Sequence, residues 1–127
     1  MKKYTVTIAK KEFPLVFTLG TMEMLEETIK GFDLTNIDKV LRSTKGLLDV
    51  LYCMAREGSI LDGKPMTESR QWFGAHCPAS KTWIVKAHEA IVNAMIDGMS
   101  METDDDQENE EVDVVLQELK KNEKTTS

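Results

Sequence analysis

Little of the usual equipment for chemistry is present in this chain. Its 127 residues include only two cysteines, two histidines and three prolines. Cys53, His76, Cys77 and His88 are its only soft metal ligands, and no Cys-x-x-Cys pair exists, so a zinc site is not expected. Patterns for a serine nucleophile elbow, a zinc protease helix or a phosphate loop are missing. No apolar run approaches the ~20 residues that span a bilayer. No apolar stretch follows Met1-Lys2-Lys3, so a signal peptide is not expected either. A basic stripe is also lacking. Outside residues 102–113 the chain has 16 basic and 14 acidic residues, a balance that argues against nucleic acid. The expectation is a soluble protein made in a reducing cytoplasm, with both thiols free. It should be no enzyme, with no cofactor, no metal site and no membrane or nucleic-acid partner.

What is present is patterned. Tyr4, Val6 and Ile8 alternate with Thr5, Thr7 and Ala9, and Phe13, Leu15 and Phe17 alternate with Pro14, Val16 and Thr18. Both segments have the two-residue period of half-buried strands. Lys10-Lys11-Glu12 connects them, and without Asn-Gly there a longer or bulged loop is expected. Pro14 lacks an N–H and suggests an edge. A lone hairpin is marginal in water. Its apolar face must therefore rest on helices or on another chain, which leaves a homo-oligomer open.

The most apolar periodic stretch is Ile37 to Glu57, read as one long helix. Ile37, Val40, Leu41, Thr44, Leu47, Leu48, Leu51, Tyr52 and Ala55 share one face, with Arg42, Lys45, Asp49 and Arg56 elsewhere. Thr35 or Asn36 would cap it, and Gly58 would end it. Gly46 in its middle allows a bend or a close contact. Shorter helices are expected at Met22–Lys30, capped by Thr21, and at Glu68–Ala75, opened by Thr67. Ser80 would cap a last helix, Lys81–Met99, burying Ile84, Ala87, His88, Ile91, Met95 and Gly98. The fold class is thus mainly α with an N-terminal β-hairpin (α+β), a small helical bundle on one long central helix.

Two parts are expected: a domain over residues 1–101 and an acidic tail over 102–127. The run from Glu102 to Asp113 holds eight carboxylates and no basic residue. Asp104-Asp105-Asp106 lacks the glycine and distal glutamate of a calcium loop, so a solvated charge run is the plainer reading. Val112, Val115, Leu116 and Leu119 then recur at helical spacing, a short amphipathic segment near 112–121. The eight methionines fill core gaps or form an adaptable groove for a partner helix. On the second reading Met22, Met24, Met95 and Met99, with Val112, Val115, Leu116 and Leu119, are the candidate partner-binding residues.

Three stretches carry a resemblance. Residues 13–27, Phe13-Pro-Leu-Val-Phe-Thr-Leu-Gly-Thr-Met-Glu-Met-Leu-Glu-Glu, run from a strand into a capped helix. Residues 47–58, Leu47-Leu-Asp-Val-Leu-Tyr-Cys-Met-Ala-Arg-Glu-Gly, form a long helix reaching glycine. Asp62-Gly63-Lys64-Pro65-Met66-Thr67 turns into another helix. Over residues 4–98 this order resembles the tail assembly chaperones of long-tailed bacteriophages. The resemblance implies a non-enzymatic role: binding the tape-measure protein, keeping it soluble and helping to recruit tail-tube subunits. Such a chaperone would act in the cytoplasm of the bacterial host and would not be retained in the mature virion. The alternative, from a different class, is an antitoxin-like or regulatory protein whose acidic C-terminal segment folds on a basic partner.

Overall fold

Ser43 divides the segment expected to be one helix. In the computed structural model, which describes residues 3–100, Ile37–Arg42 forms α2 and Thr44–Leu61 forms α3. Between them Ser43 is extended, with φ −94° and ψ 148°. Its N–H donates to the Val40 carbonyl at 3.3 Å, and its Oγ accepts from the Gly46 N–H at 2.9 Å. One serine thus ends one helix and caps the next. The bend falls at Ser43 rather than at Gly46, which lies inside α3 and supplies the close contact. A Cβ there would collide with the Val40 carbonyl oxygen.

The other elements precede and follow. β1 is Tyr4–Ile8, β2 is Lys11–Leu15 and α1 is Leu19–Thr28, and a 3-10 turn at Leu34–Asn36 leads into α2. α4 is Arg70–His76 and α5 is Lys81–Ser100. The class is the expected one, a hairpin followed by five helices. The acidic run and the amphipathic segment near 112–121 lie outside the described residues.

The hairpin is tighter than its sequence suggests. Only Ala9 and Lys10 form the turn, both at positive φ, 51° and 66°. That is the mirror-image two-residue turn whose twist matches the strands, built without the expected longer loop. Ile8 and Lys11 flank it, and the register places Thr7 opposite Glu12 and Thr5 opposite Pro14. Bonded and unbonded pairs alternate along such a ladder, so Pro14 falls where no N–H is needed. Val6, Ile8, Phe13, Leu15 and Phe17 are buried, and this face meets α3 and α5.

α3 is the centre, touching β2, α1, α2, α4 and α5. Leu47, Val50, Leu51, Cys53, Met54 and Ala55 are all buried, more of its circumference than one stripe. Leu48, expected among the buried leucines, is only half-buried, whereas Leu51 is fully buried. Gly58 does not end the helix. It lies in the middle of a packed stretch, where a Cβ would meet the Pro14 carbonyl, and the turn comes at Asp62 and Gly63, φ 74°. Glycine is kept at position 58 for strand approach, not for termination.

Caps account for most shifted boundaries. Thr18, not Thr21, caps α1: its Oγ1 accepts from the Thr21 N–H, while the Thr18 N–H donates to Thr21 Oγ1, both at 3.3 Å. Thr21 is then buried in the first turn, and its hydroxyl donates to the Val16 carbonyl. Asp33, rather than Thr35 or Asn36, caps the 3-10 turn through the Thr35 N–H. Ser69 caps α4, so that helix starts after Thr67 and Glu68. Ser80 caps α5 as expected, with its Oγ accepting from the Trp83 N–H.

One side chain moved from surface to interior. Asp49, expected outside the apolar face, is 3% exposed. Its carboxylate accepts from Lys45 Nζ and from Arg70 Nε, each at 2.8 Å. The Arg70 contact pins the start of α4 onto α3, and the buried charge keeps partners, as burial requires.

Candidate partner-binding cleft

The second face of the hairpin carries Lys3, Thr5, Thr7, Glu12 and Pro14, and the connection between α3 and α4 passes beside it. Two ion pairs strap that connection to the hairpin. Lys3 Nζ reaches Asp62 Oδ2 at 2.8 Å, and Lys11 Nζ reaches Glu68 Oε2 at 2.6 Å. Hairpin and connection together line a cleft of about 370 Å³. Thr5 and Pro14 form one wall, Ser59 its end on α3, and Lys64, Pro65 and Met66 the other wall.

The connection takes this course for local reasons. Asp62 and Gly63 turn the chain away from α3, helped by the Lys64 N–H donating to the Ser59 carbonyl at 3.0 Å. Pro65 disfavours helix in the residue before it, and helix resumes only after the Ser69 cap. Beneath the cleft an aromatic group fixes α4. The Phe13 ring lies 5.1 Å from that of Phe73 and 5.8 Å from that of Trp72, and Tyr52 meets Phe73 edge-on at 5.4 Å. His76 stacks on Trp72 at 4.2 Å.

Two of the cleft's three lysines, Lys3 and Lys11, are ion-paired. The Lys11 ammonium beside Glu68 holds that carboxyl below its ordinary range, and the bond to Asp62 raises the Lys3 ammonium. Glu68 Oε1 is buried with no partner among the described residues. Lys64 lines the cleft and is exposed. Between Ser59 and Asp62, which both line it, Ile60 and Leu61 are 48% and 64% exposed. Two adjacent large apolar side chains left this exposed suit a protein surface better than a small polar ligand.

The residues expected to contact a partner are scattered. Met22 and Met24 are half-buried on α1, and the Arg56 guanidinium sits 3.9 Å from Met24 Sδ. Met99 is half-buried on the last turn of α5, beside the chain at Phe17, which packs against Gly98. Met95 is fully buried, a core residue with no surface to offer. Val112, Val115, Leu116 and Leu119 lie outside the described residues. Met22, Met24, Met95 and Met99 do not line the cleft, and the methionine that does is Met66.

The metal candidates do not assemble. Among the described residues no group of three histidine, cysteine or carboxylate ligands comes together. Cys53 is buried and Cys77 half-buried, and burial pushes each thiol up to about 11. His88, expected on the buried side, is half-buried.

Sequence reasoning missed Leu19, Ile60, Leu61 and Val85 as exposed apolar residues and placed Ile84 inside. Leu19 is 82% exposed and Ile84 40%. No signal distinguishes them, because periodicity gives a face and not the extent of its cover. Among the described residues no helix is long and apolar enough to cross a membrane. Compared with protein families, with curated proteins and with solved structures, the chain has no match.

Proposed function

We propose that this protein works by binding another protein, as a tail assembly chaperone of a long-tailed bacteriophage. It would hold the tape-measure protein soluble and help to recruit tail-tube subunits, without catalysing a reaction and without a cofactor. The observation that carries the binding part is the adjacent pair of exposed apolar side chains, Ile60 and Leu61, at the end of α3 next to the cleft-lining Ser59 and Asp62. Clustered exposed apolar side chains mark interaction sites more often than scattered ones do. The resemblance over residues 4–98 supplies the identity of the partner.

The proposed mechanism is simple. An apolar segment of the client lies on Ile60 and Leu61, and Lys64, the cleft lysine outside the two straps, meets its carboxylates. Covering apolar client surface removes it from water and suppresses self-association, at roughly 25 cal/mol per Å² of apolar area. The ion-pair straps are exposed on the lysine side, so the connection can adjust at little cost.

Co-expression with the cognate tape-measure protein tests this reading. The client should move into the soluble fraction and co-purify with the chaperone. A well-expressed client that stays insoluble and fails to co-purify would count against it.

A further inference from the structure

The N-terminal end of α5 carries an apolar surface that the body leaves open. Ile84 continues the stripe of Ala87, Ile91 and Met95, and Val85 continues that of Val92. Those four are at most 2% exposed, yet Ile84 and Val85 are 40% and 49% exposed. The helix thus extends its apolar face beyond the elements that cover it. Lys81, one turn before both side chains, and Lys86 are exposed, as is Glu89, one turn after Val85. Trp83 Nε1 donates to the Thr7 carbonyl at 2.9 Å, which ties this end of α5 to β1.

We infer that residues 110–119 of the same chain dock on this surface. The inference is independent of the function proposed above, since it concerns α5 and not the cleft. Val112, Val115, Leu116 and Leu119 recur at three and four residues and would present one apolar face. Glu110, Glu111, Asp113 and Glu118 accompany them. An apolar stripe edged with carboxylates complements Ile84 and Val85 with Lys81 on the turn before them.

Length favours docking within one chain. Ile84 lies about 24 Å back along α5 from Ser100, at 1.5 Å per helical residue. Residues 101–111 reach at most about 37 Å when extended, and as a flexible linker they average roughly 18 Å end to end. The span therefore lies close to the linker's own size, where the effective concentration is of millimolar order. At micromolar protein the tethered segment would outcompete a second copy of the chain.

Methyl NMR spectra of the full-length protein at low micromolar concentration test the assignment. Replacing Leu116→Asp in the full chain should shift the Ile84 and Val85 methyl signals, because their cover is lost. Reciprocally, Ile84→Asp should shift the Leu116 and Leu119 signals. High salt should move the wild-type signals part of the way toward those of Leu116→Asp, by screening the lysine–carboxylate pairs. Neither change should depend on dilution. Superimposable Ile84 and Val85 signals in wild type and Leu116→Asp would overturn the proposal. So would shifts confined to another surface, or shifts that fade on dilution, which would assign the contact to a second copy.

Discussion

α3 and α5 are similar helices with different fates. α3 spans 18 residues and α5 spans 20, and each carries an apolar stripe. α3 is enclosed by β2 and four helices, so even Asp49 on its flank is buried and ion-paired. α5 meets the hairpin and α3, and its first turns extend past them with Ile84 and Val85 in solvent. Equal periodicity thus yields a core helix in one case and a partly uncovered helix in the other. The pattern fixes which face turns inward, and the neighbours fix how much of it is covered.

The sharpest contrast comes from truncating one side chain on each helix. Leu51→Ala empties a fully buried site and should cost about 2–5 kcal/mol in chemical denaturation. Ile84→Ala removes a side chain that is 40% exposed and should cost under about 1 kcal/mol. Equal losses would erase the distinction between the two helices.

The ion-paired carboxylate of α3 gives a smaller effect. Asp49→Asn keeps the volume and removes the charge that Arg70 and Lys45 contact. A loss of about 1–3 kcal/mol is expected, discounted because Lys45 is largely exposed and Arg70 partly so. The loss should be accompanied by increased amide exchange in α4.

Glycines sharpen the same point by sign. Gly58→Ala forces a Cβ against the Pro14 carbonyl and should destabilise by about 1–3 kcal/mol. Gly74 on α4 is exposed and meets only the end of the Arg70 side chain, at 3.4 Å. Gly74→Ala should therefore stabilise by up to about 1 kcal/mol, the helix propensity difference. Thermal melts of both variants read the two directions.

The smallest effect is expected at the hairpin turn. Lys10 holds φ 66°, which costs a side-chain residue about 1–2 kcal/mol and glycine little. Set against the greater unfolded-chain entropy of glycine, Lys10→Gly should gain about 0.5–1 kcal/mol. A loss in denaturant titration would mean that the Lys10 side chain contributes more than its backbone strain costs.

The class of fold was legible because two periods alternate along the chain. A two-residue period ends at Phe17, and a three-to-four-residue period takes over. The apolar hairpin face and the central role of the Leu47–Ala55 stretch followed directly. Breaks were harder to see. Ser43 sits inside an unbroken apolar pattern, and only its cap on Gly46 reveals the corner. Gly58 reads as a helix stop, but it serves a strand that comes forty residues earlier in the chain. Thr18 and Thr21 are both good caps by chemistry, and the reciprocal bonds between them decide which one starts α1.

The cleft was the least legible part. Its walls come from residues 3–14 and 59–67, brought together by Lys3–Asp62 and Lys11–Glu68. Neither pair has a sequence signature, since such lysines and acids are ordinary surface residues. Methionine content pointed to Met22, Met24, Met95 and Met99, but composition does not tell a core filler from a rim residue. Met95 is the former, and Met66 lines the cleft.

The central proposal is that the exposed end of α3, at Ile60 and Leu61, binds another protein. The most direct measurement is the affinity of the full-length protein for its cognate tape-measure protein, with and without the double substitution Ile60→Asp, Leu61→Asp. Both positions are exposed, so the melting temperature should barely change. Wild type is predicted to bind, and the double variant to lose at least about tenfold in affinity, the equivalent of 1.4 kcal/mol. Undiminished binding by a folded double variant would contradict the placement of the site, and absence of binding by the wild type would contradict the function itself.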